Sequence, residues 1–327
     1  MKGFTAVATL ALAGSAVAAP AKLVPRQNIN ANGTQAYGVA DVDILQFALS
    51  LEYLEINLYE TVVTTFDGNA FESAGFSRAD RATFKQIIAQ EKAHIGALRR
   101  DVYQLGGTPV KPCKYNYGKI ESLNQLLNNT DAVNGLGPSA YLGAGPYLSS
   151  KLLLTEGGAL GNIETRHNSW LNGLIGRSEQ PIAFQLPLSP TQSYGVASQF
   201  IVEGSCPSGP PKAVTAFPPS LTITNKGWPA APLNAGDIVY VKPGKPVDAP
   251  RAAFLYGFNT TIVDFDSSSS SAQIPLDFAG QGYIVLTNAV QGQELNNDNS
   301  LTVPQALYVD KPAWDYANDE VSTYDFD

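Results

Sequence analysis

The chain holds only two histidines, and each follows a glutamate by three residues: Glu91-Lys-Ala-His94 and Glu164-Thr-Arg-His167. With twelve glutamates in 327 residues, two such placements by chance come to roughly one in several hundred. Residues three apart on a helix project from one face, so each segment offers an oxygen and a nitrogen to the same point. Two such segments on facing helices, bridged by a carboxylate from a third, can hold two metal ions a few ångströms apart. Mixed oxygen and imidazole ligands suit iron or manganese, with zinc as a third choice.

The elements that must carry these residues are legible as helices. A first helix over 41–66, which Asp41 can cap and Gly68 ends, has the apolar stripe Leu45, Leu49, Ile56, Tyr59 and Val63. Glu52 fills the missing step of that stripe and is the expected bridging carboxylate; Glu55 lies beside the seam and Glu60 toward its margin. A second helix opens at Ser77, paired with Asp80 as a capping box, and closes at Gly106-Gly107 before Pro109. Glu91 and His94 fall within its inward stripe of Phe84, Ile87, Ile88, Ile95 and Leu98. The third helix, between Ser122 and Leu148, is weaker and interrupted near Gly135 to Pro138. The fourth, 151–176, carries Glu164 and His167 in a face with Leu160, Ile163, Trp170, Leu171 and Leu174. Buried carboxylates and imidazoles need partners or shifted pKa values, and the alternative to a metal is a polar core in which they satisfy one another.

Residues 1–18 read as a secretory signal, with Lys2, an apolar stretch from Phe4 to Ala13 and the small residues Ala16-Val17-Ala18. A segment over 19–40 precedes the bundle. No stretch reaches the roughly 20 apolar residues that span a bilayer. An acidic chain of formal charge −8 without a basic cluster has no footprint for nucleic acid or an anionic membrane. Sequons at Asn32, Asn128 and Asn259 fit an extracellular or cell-wall protein. The two cysteines, Cys113 and Cys206, lack metal-site spacing and are expected to form a disulfide.

The text turns from helical to strand-like at about residue 210, after Cys206-Pro-Ser-Gly-Pro-Pro-Lys. Short strands over 221–224, 237–241, 252–258, 261–265, 282–287 and 306–309 suggest an immunoglobulin-like β-sandwich over 210–311. Ser267–Ser271 is a low-complexity loop, and an acidic tail occupies 312–327. The expected class is thus α + β multidomain: a helical bundle over 41–209, then a sandwich able to meet a cell-wall or surface partner.

Four segments carry a family resemblance: Leu45-Gln-Phe-Ala-Leu-Ser-Leu-Glu52-Tyr-Leu-Glu55, Gln90-Glu91-Lys-Ala-His94, Gly137-Pro-Ser-Ala-Tyr-Leu-Gly143-Ala and Ile163-Glu164-Thr-Arg-His167. Together with Cys113-Lys-Tyr-Asn-Tyr, they make residues 41–177 resemble the ferritin-like domain of fungal stress-response and late-sexual-development proteins, related to plant desiccation-related proteins. The resemblance implies a ferritin-like four-helix bundle, with Glu52, Glu91, His94, Glu164 and His167 as metal ligands. A third-helix glutamate completes the ferritin-type set, and this chain has none there. Asp131 has shorter reach, and its place beside the Asn128 sequon points to a surface. Glu156 lies about 80° from the direction of Glu164. Two functions follow as expectations: a secreted di-metal oxidoreductase using iron or manganese, or a non-enzymatic cell-wall or spore-surface protein with a vestigial site. A Ser-His-Asp hydrolase would have to break the metal set, because both histidines are committed.

Overall fold

The computed structural model describes residues 38–225 and 233–309. The leader over 1–18, the Asn32 sequon and the tail over 312–327 lie outside these residues. Helix α1 (Asp41–Thr65) is followed by a short α2 (Gly68–Ser73) and by α3 (Arg78–Gln104). Three short helices then stand in the third position: α4 (Leu123–Asn129), α5 (Asp131–Asn134) and α6 (Leu136–Ala144). Helix α7 (Lys151–Leu174) completes the bundle, and α8 (Pro190–Ser198) packs against α1 and α6.

The capping box expected at Ser77 and Asp80 is present at the start of α3. Asp41 behaves differently. It is the first helical residue of α1 and makes no cap bond there. Its carboxylate instead accepts from Ser149 N (2.7 Å), Ser149 Oγ (2.9 Å) and Ser150 N (3.0 Å), tying the start of α1 to the start of α7. Gly68, expected to end the first helix, opens α2 behind an Asp67 cap. The α8 helix was not expected, although Ser189, Pro190 and Gln192 form a capping box with proline in the first turn.

Asp131 is also corrected. It is buried, and its partner is Arg177, whose guanidinium also lies 4.4 Å over the Tyr308 ring. Beside it, Asn128 is half-buried in α4, and Thr130 of the same sequon is buried with its hydroxyl donated to Leu126 O. Asn259, by contrast, is exposed at the start of a strand.

The C-terminal region is two antiparallel sheets. Strands β1 (Leu221–Ile223), β2 (Ile238–Pro243) and β5 (Ser271–Gln273) make one, in the order β1-β2-β5. Strands β3 (Arg251–Tyr256), β4 (Asn259–Asp264), β6 (Gly280–Thr287) and β7 (Gln305–Val309) make the other, in the order β4-β3-β6-β7. The short β5 begins within the stretch read as a loop.

Alternation along β3 shows why its burial is continuous. Phe254 and Tyr256 join a core with Leu221, Val239 and Val241 of the opposite sheet. Leu255, together with Tyr283, Val285 and Ala306 of β6 and β7, instead joins the core that runs through the helices. The four-stranded sheet is therefore covered on both faces, which is what an uninterrupted apolar strand requires. The boundary near residue 210 marks a change of secondary structure, and packing crosses it. Cys113 and Cys206 are joined. Around them the chain after α3 zips onto the chain before the sheets, with Asn116 N donating to Phe200 O (2.8 Å) and Val202 N to Lys114 O (2.9 Å).

Candidate metal centre

Three long helices bring six ionisable side chains to one buried layer: Glu52 and Glu55 from α1, Glu91 and His94 from α3, Glu164 and His167 from α7. Each pair is spaced three residues apart, so both members face the seam. Glu52 and Glu91 are 0% exposed, and none of the six exceeds 7%.

His94 Nδ1 lies 3.2 Å from Glu91 Oε2 and 3.1 Å from Glu164 Oε1. His167 Nδ1 lies 3.1 Å from Glu91 Oε1 and 3.5 Å from Glu164 Oε2. Each of these two carboxylates thus has one oxygen toward each imidazole, and the rings stack nearly parallel with centroids 6.3 Å apart. Glu52 Oε2 stands 3.4 Å from His94 alone, and its Oε1 accepts from the Tyr141 hydroxyl. The bridging position expected for Glu52 is therefore held by Glu91 and Glu164. One ligand atom each from Glu52, Glu91, His94 and Glu164 lie within 4.8 Å of one another. His167 sits outside that group, against Glu91 and Glu164.

Where a third-helix glutamate was missed, the structure has Gly137. A Cβ there would come within 2.7 Å of Glu55 Oε1 and 3.0 Å of Glu164 Oε2. The third helix supplies bare space, and Glu55 of α1 fills it. Its role was missed in the sequence, although Glu52-x-x-Glu55 repeats the three-residue spacing of the two recognised motifs. The other carboxylates weighed for the site are committed elsewhere: Glu60 to Lys92 (3.1 Å), Glu156 to Arg100 (3.2 Å) and Asp131 to Arg177.

The electrostatics of this layer are those of a cation site. Four carboxylates present eight oxygens, while the donors among them are two imidazole Nδ1 atoms and Tyr141. Glu52 Oε2, Glu55 Oε1, Glu91 Oε1, Glu164 Oε1 and His167 Nδ1 make no hydrogen bond, because the short approaches between them are poorly aligned. Buried acceptors without donors are costly, and a bound cation would remove that cost. Burial pushes Glu52 and Glu55 well above the usual carboxylate range, with Glu91 next for the first and Glu164 next for the second. Burial also acts to raise Glu91, but contacts with His167 and His94 prevail and hold it at about 2. Burial opposes charge on His94 and His167, yet the carboxylates around them raise these to about 12 and about 9. Protons thus stand where metal charge would stand, and metal binding would displace them.

A further feature suits metal ligation. His167 Nε2 lies 2.7 Å from Gln90 Oε1, an arrangement that makes Nε2 the donor and turns Nδ1 toward Glu91 and Glu164. Metal-binding imidazoles are commonly oriented by such a contact on the distal nitrogen. The residues present fit a metal centre.

Comparison with known proteins agrees with this geometry. Residues 40–177 match the ferritin-like domain family. The chain is also similar to Protein rds1 of Schizosaccharomyces pombe, 25% identical over 214 residues that cover 63% of this chain and 51% of that relative. The matched part thus spans about half the length of this curated relative. The family match covers the helical region over 40–177, and antiparallel sheets follow it.

Proposed function

We propose that α1, α3 and α7 hold two iron or manganese ions, and that the protein is an exported di-metal oxidoreductase serving stress or sexual development. The observation that carries this reading is the pairing at Glu91 and Glu164, each with one oxygen toward His94 and one toward His167. That arrangement sets two shared carboxylates between the two imidazoles, with Glu52 beside His94. Bound there, iron or manganese would supply electron transfer and open coordination positions.

The chain's own residues do the rest. Gln90 fixes the ring of His167, and Tyr141 holds one oxygen of Glu52 so that the other stays toward His94. Gly137 leaves Glu55 room to reach the layer, and burial keeps water from competing for the ligands. Similarity to Protein rds1 suggests a stress-related role. The disulfide is compatible with export, and among the described residues no helix is long and apolar enough to cross a membrane.

Elemental analysis of protein purified without chelators or a histidine tag tests the reading. About two iron or manganese ions per chain are expected, lost in a His94→Ala/His167→Ala variant. Because that variant empties buried space, His167→Gln should be measured beside it, with circular dichroism to verify folding. One ion per chain would overturn the dinuclear assignment. None in the folded wild type would leave a scaffold acting through its surface, as a wall or spore-coat protein would.

A further inference from the structure

A cleft of about 730 Å³ opens where the helical region meets the four-stranded sheet, a size typical of small-molecule sites. Leu186, Leu255 and Leu295 are its aliphatic part. Three segments wall it: the start of α8, the stretch 291–297 between β6 and β7, and the turn from β3 to β4. Their side chains are mostly neutral amides and hydroxyls, among them Thr191, Thr215, Gln291, Gln293 and Asn296. Glu294 is the only charged side chain among the described lining residues. Neutral hydrogen-bonding groups beside aliphatic surface match a carbohydrate, which has hydroxyls at its edges and C–H groups on its faces.

The third wall identifies which carbohydrate. The two-residue turn Gly257-Phe258 joins β3 to β4, with Gly257 at a φ of 52°. The residues that follow, Asn259-Thr260-Thr261, form a sequon, and Asn259 and Thr260 both line the cleft. Asn259 is exposed. Asn128, by contrast, lies half-buried in α4, donates its side-chain amide to Asn124 O (2.8 Å) and has a buried Thr130 as its sequon hydroxyl. Phe258 adds a second observation. It is 66% exposed, lines the cleft and stacks on the 59% exposed Phe184, with ring centroids 5.1 Å apart. An apolar patch left open beside Asn259 offers a seat for the face of a sugar attached there.

We propose that Asn259 carries an N-linked glycan whose first sugars lie in this cleft, against Phe258 and the amides of 291–297. This rests on the exported reading above, because the sugar is added in the secretory pathway. The donor is a polyprenyl-diphosphate-linked oligosaccharide. Asn259 Nδ2 forms a bond to C1 of its terminal sugar, the bond from C1 to the diphosphate oxygen breaks, and the amide proton leaves with the released diphosphate. The covalent tether then presents the glycan to the cleft at an effective concentration on the order of millimolar, so weak sugar contacts suffice to hold it.

The test expresses residues 19–327 behind a foreign secretory leader in a yeast host; the same chain behind its own residues 1–18 tests export separately. A reference glycan is placed by Glu203→Asn, which makes a sequon of the exposed turn before Ser205. Peptide mass spectrometry should find Asn259 occupied. An amidase that removes N-glycans should release the Asn259 glycan from folded protein about tenfold or more slowly than the reference, and both at one rate after unfolding. Phe258→Ser, at an exposed position, should fold and narrow that difference. Secreted protein with Asn259 bare would overturn the modification. Equal release of the two glycans from folded protein would overturn the seat in the cleft, and full protection in Phe258→Ser would remove Phe258 from it.

Discussion

The two cores of this molecule are built on opposite terms. Between the sheets, Leu221, Val239, Phe254, Ile284 and Leu286 close a wholly apolar interior. The buried polar groups nearby have bonds: Thr287 Oγ1 donates to Asn299 O (2.6 Å), and Thr302 Oγ1 accepts from Leu286 N (3.0 Å). Among the described residues the bundle instead buries Glu52, Glu55, Glu91 and Glu164 in one layer with more acceptors than donors. A fold selected for stability alone would resemble the first core. The second retains groups that weaken the empty protein, and such groups mark where a ligand completes the structure.

That contrast can be broken or sharpened by experiment. The largest effect is expected from Phe254→Ala, which should cost about 3–5 kcal/mol in urea unfolding by emptying the apolar core. Metal content per folded chain should stay unchanged; a parallel loss would show that the two cores are not separable in function. Chelation is next. Dialysis that strips the metal should lower stability by about 3 kcal/mol, relative to protein held at free metal near a hundred times Kd. Amide exchange should quicken in α3 and α7 and hold steady in β2 and β3.

Glu55→Gln should act in two directions. A carboxyl whose pKa rises on folding opposes folding above its unfolded pKa, so the metal-free variant should gain stability at neutral pH, read as a higher Tm. The same variant should bind less metal, and a metal-free Tm that falls would contradict the cost assigned to this side chain. The smallest stability effect belongs to Gly137→Ala. Its methyl favours the helix by up to about 1 kcal/mol but crowds Glu55 and Glu164. Metal content should drop toward about one ion per chain, with Tm nearly constant.

The long helices and most strands were legible because their periodicity is strong and their ends are punctuated. Glu91, His94, Glu164 and His167 stood out because both histidines repeat one spacing. Glu55 did not, since a carboxylate beside an apolar stripe resembles an ordinary surface residue until its neighbour on another helix is known. That neighbour is Gly137, about 80 residues away in sequence, and its meaning is an absence of atoms. Asp131 was read as exposed for the same reason, because Arg177 comes to it only through the fold. The two-sided burial of β3 was written in Ala252-Ala-Phe-Leu-Tyr256, yet a local run cannot say that helices cover its second face.

The link between Cys113 and Cys206 makes a covalent ring of the chain from 113 to 206. Helices α4 to α8 lie inside that ring, while α1 to α3 precede it and the sheets follow it. A protease that nicks the mostly exposed segment 118–122 therefore releases nothing. Glu91 and His94 lie before the ring, and Glu164 and His167 lie on it, so they would remain on one molecule. Nicked protein would migrate as a single species without reductant and as two fragments with it. Cleavage of the chain and dispersal of the buried Glu and His layer are thus separate events, joined only when the sulfur bond is broken.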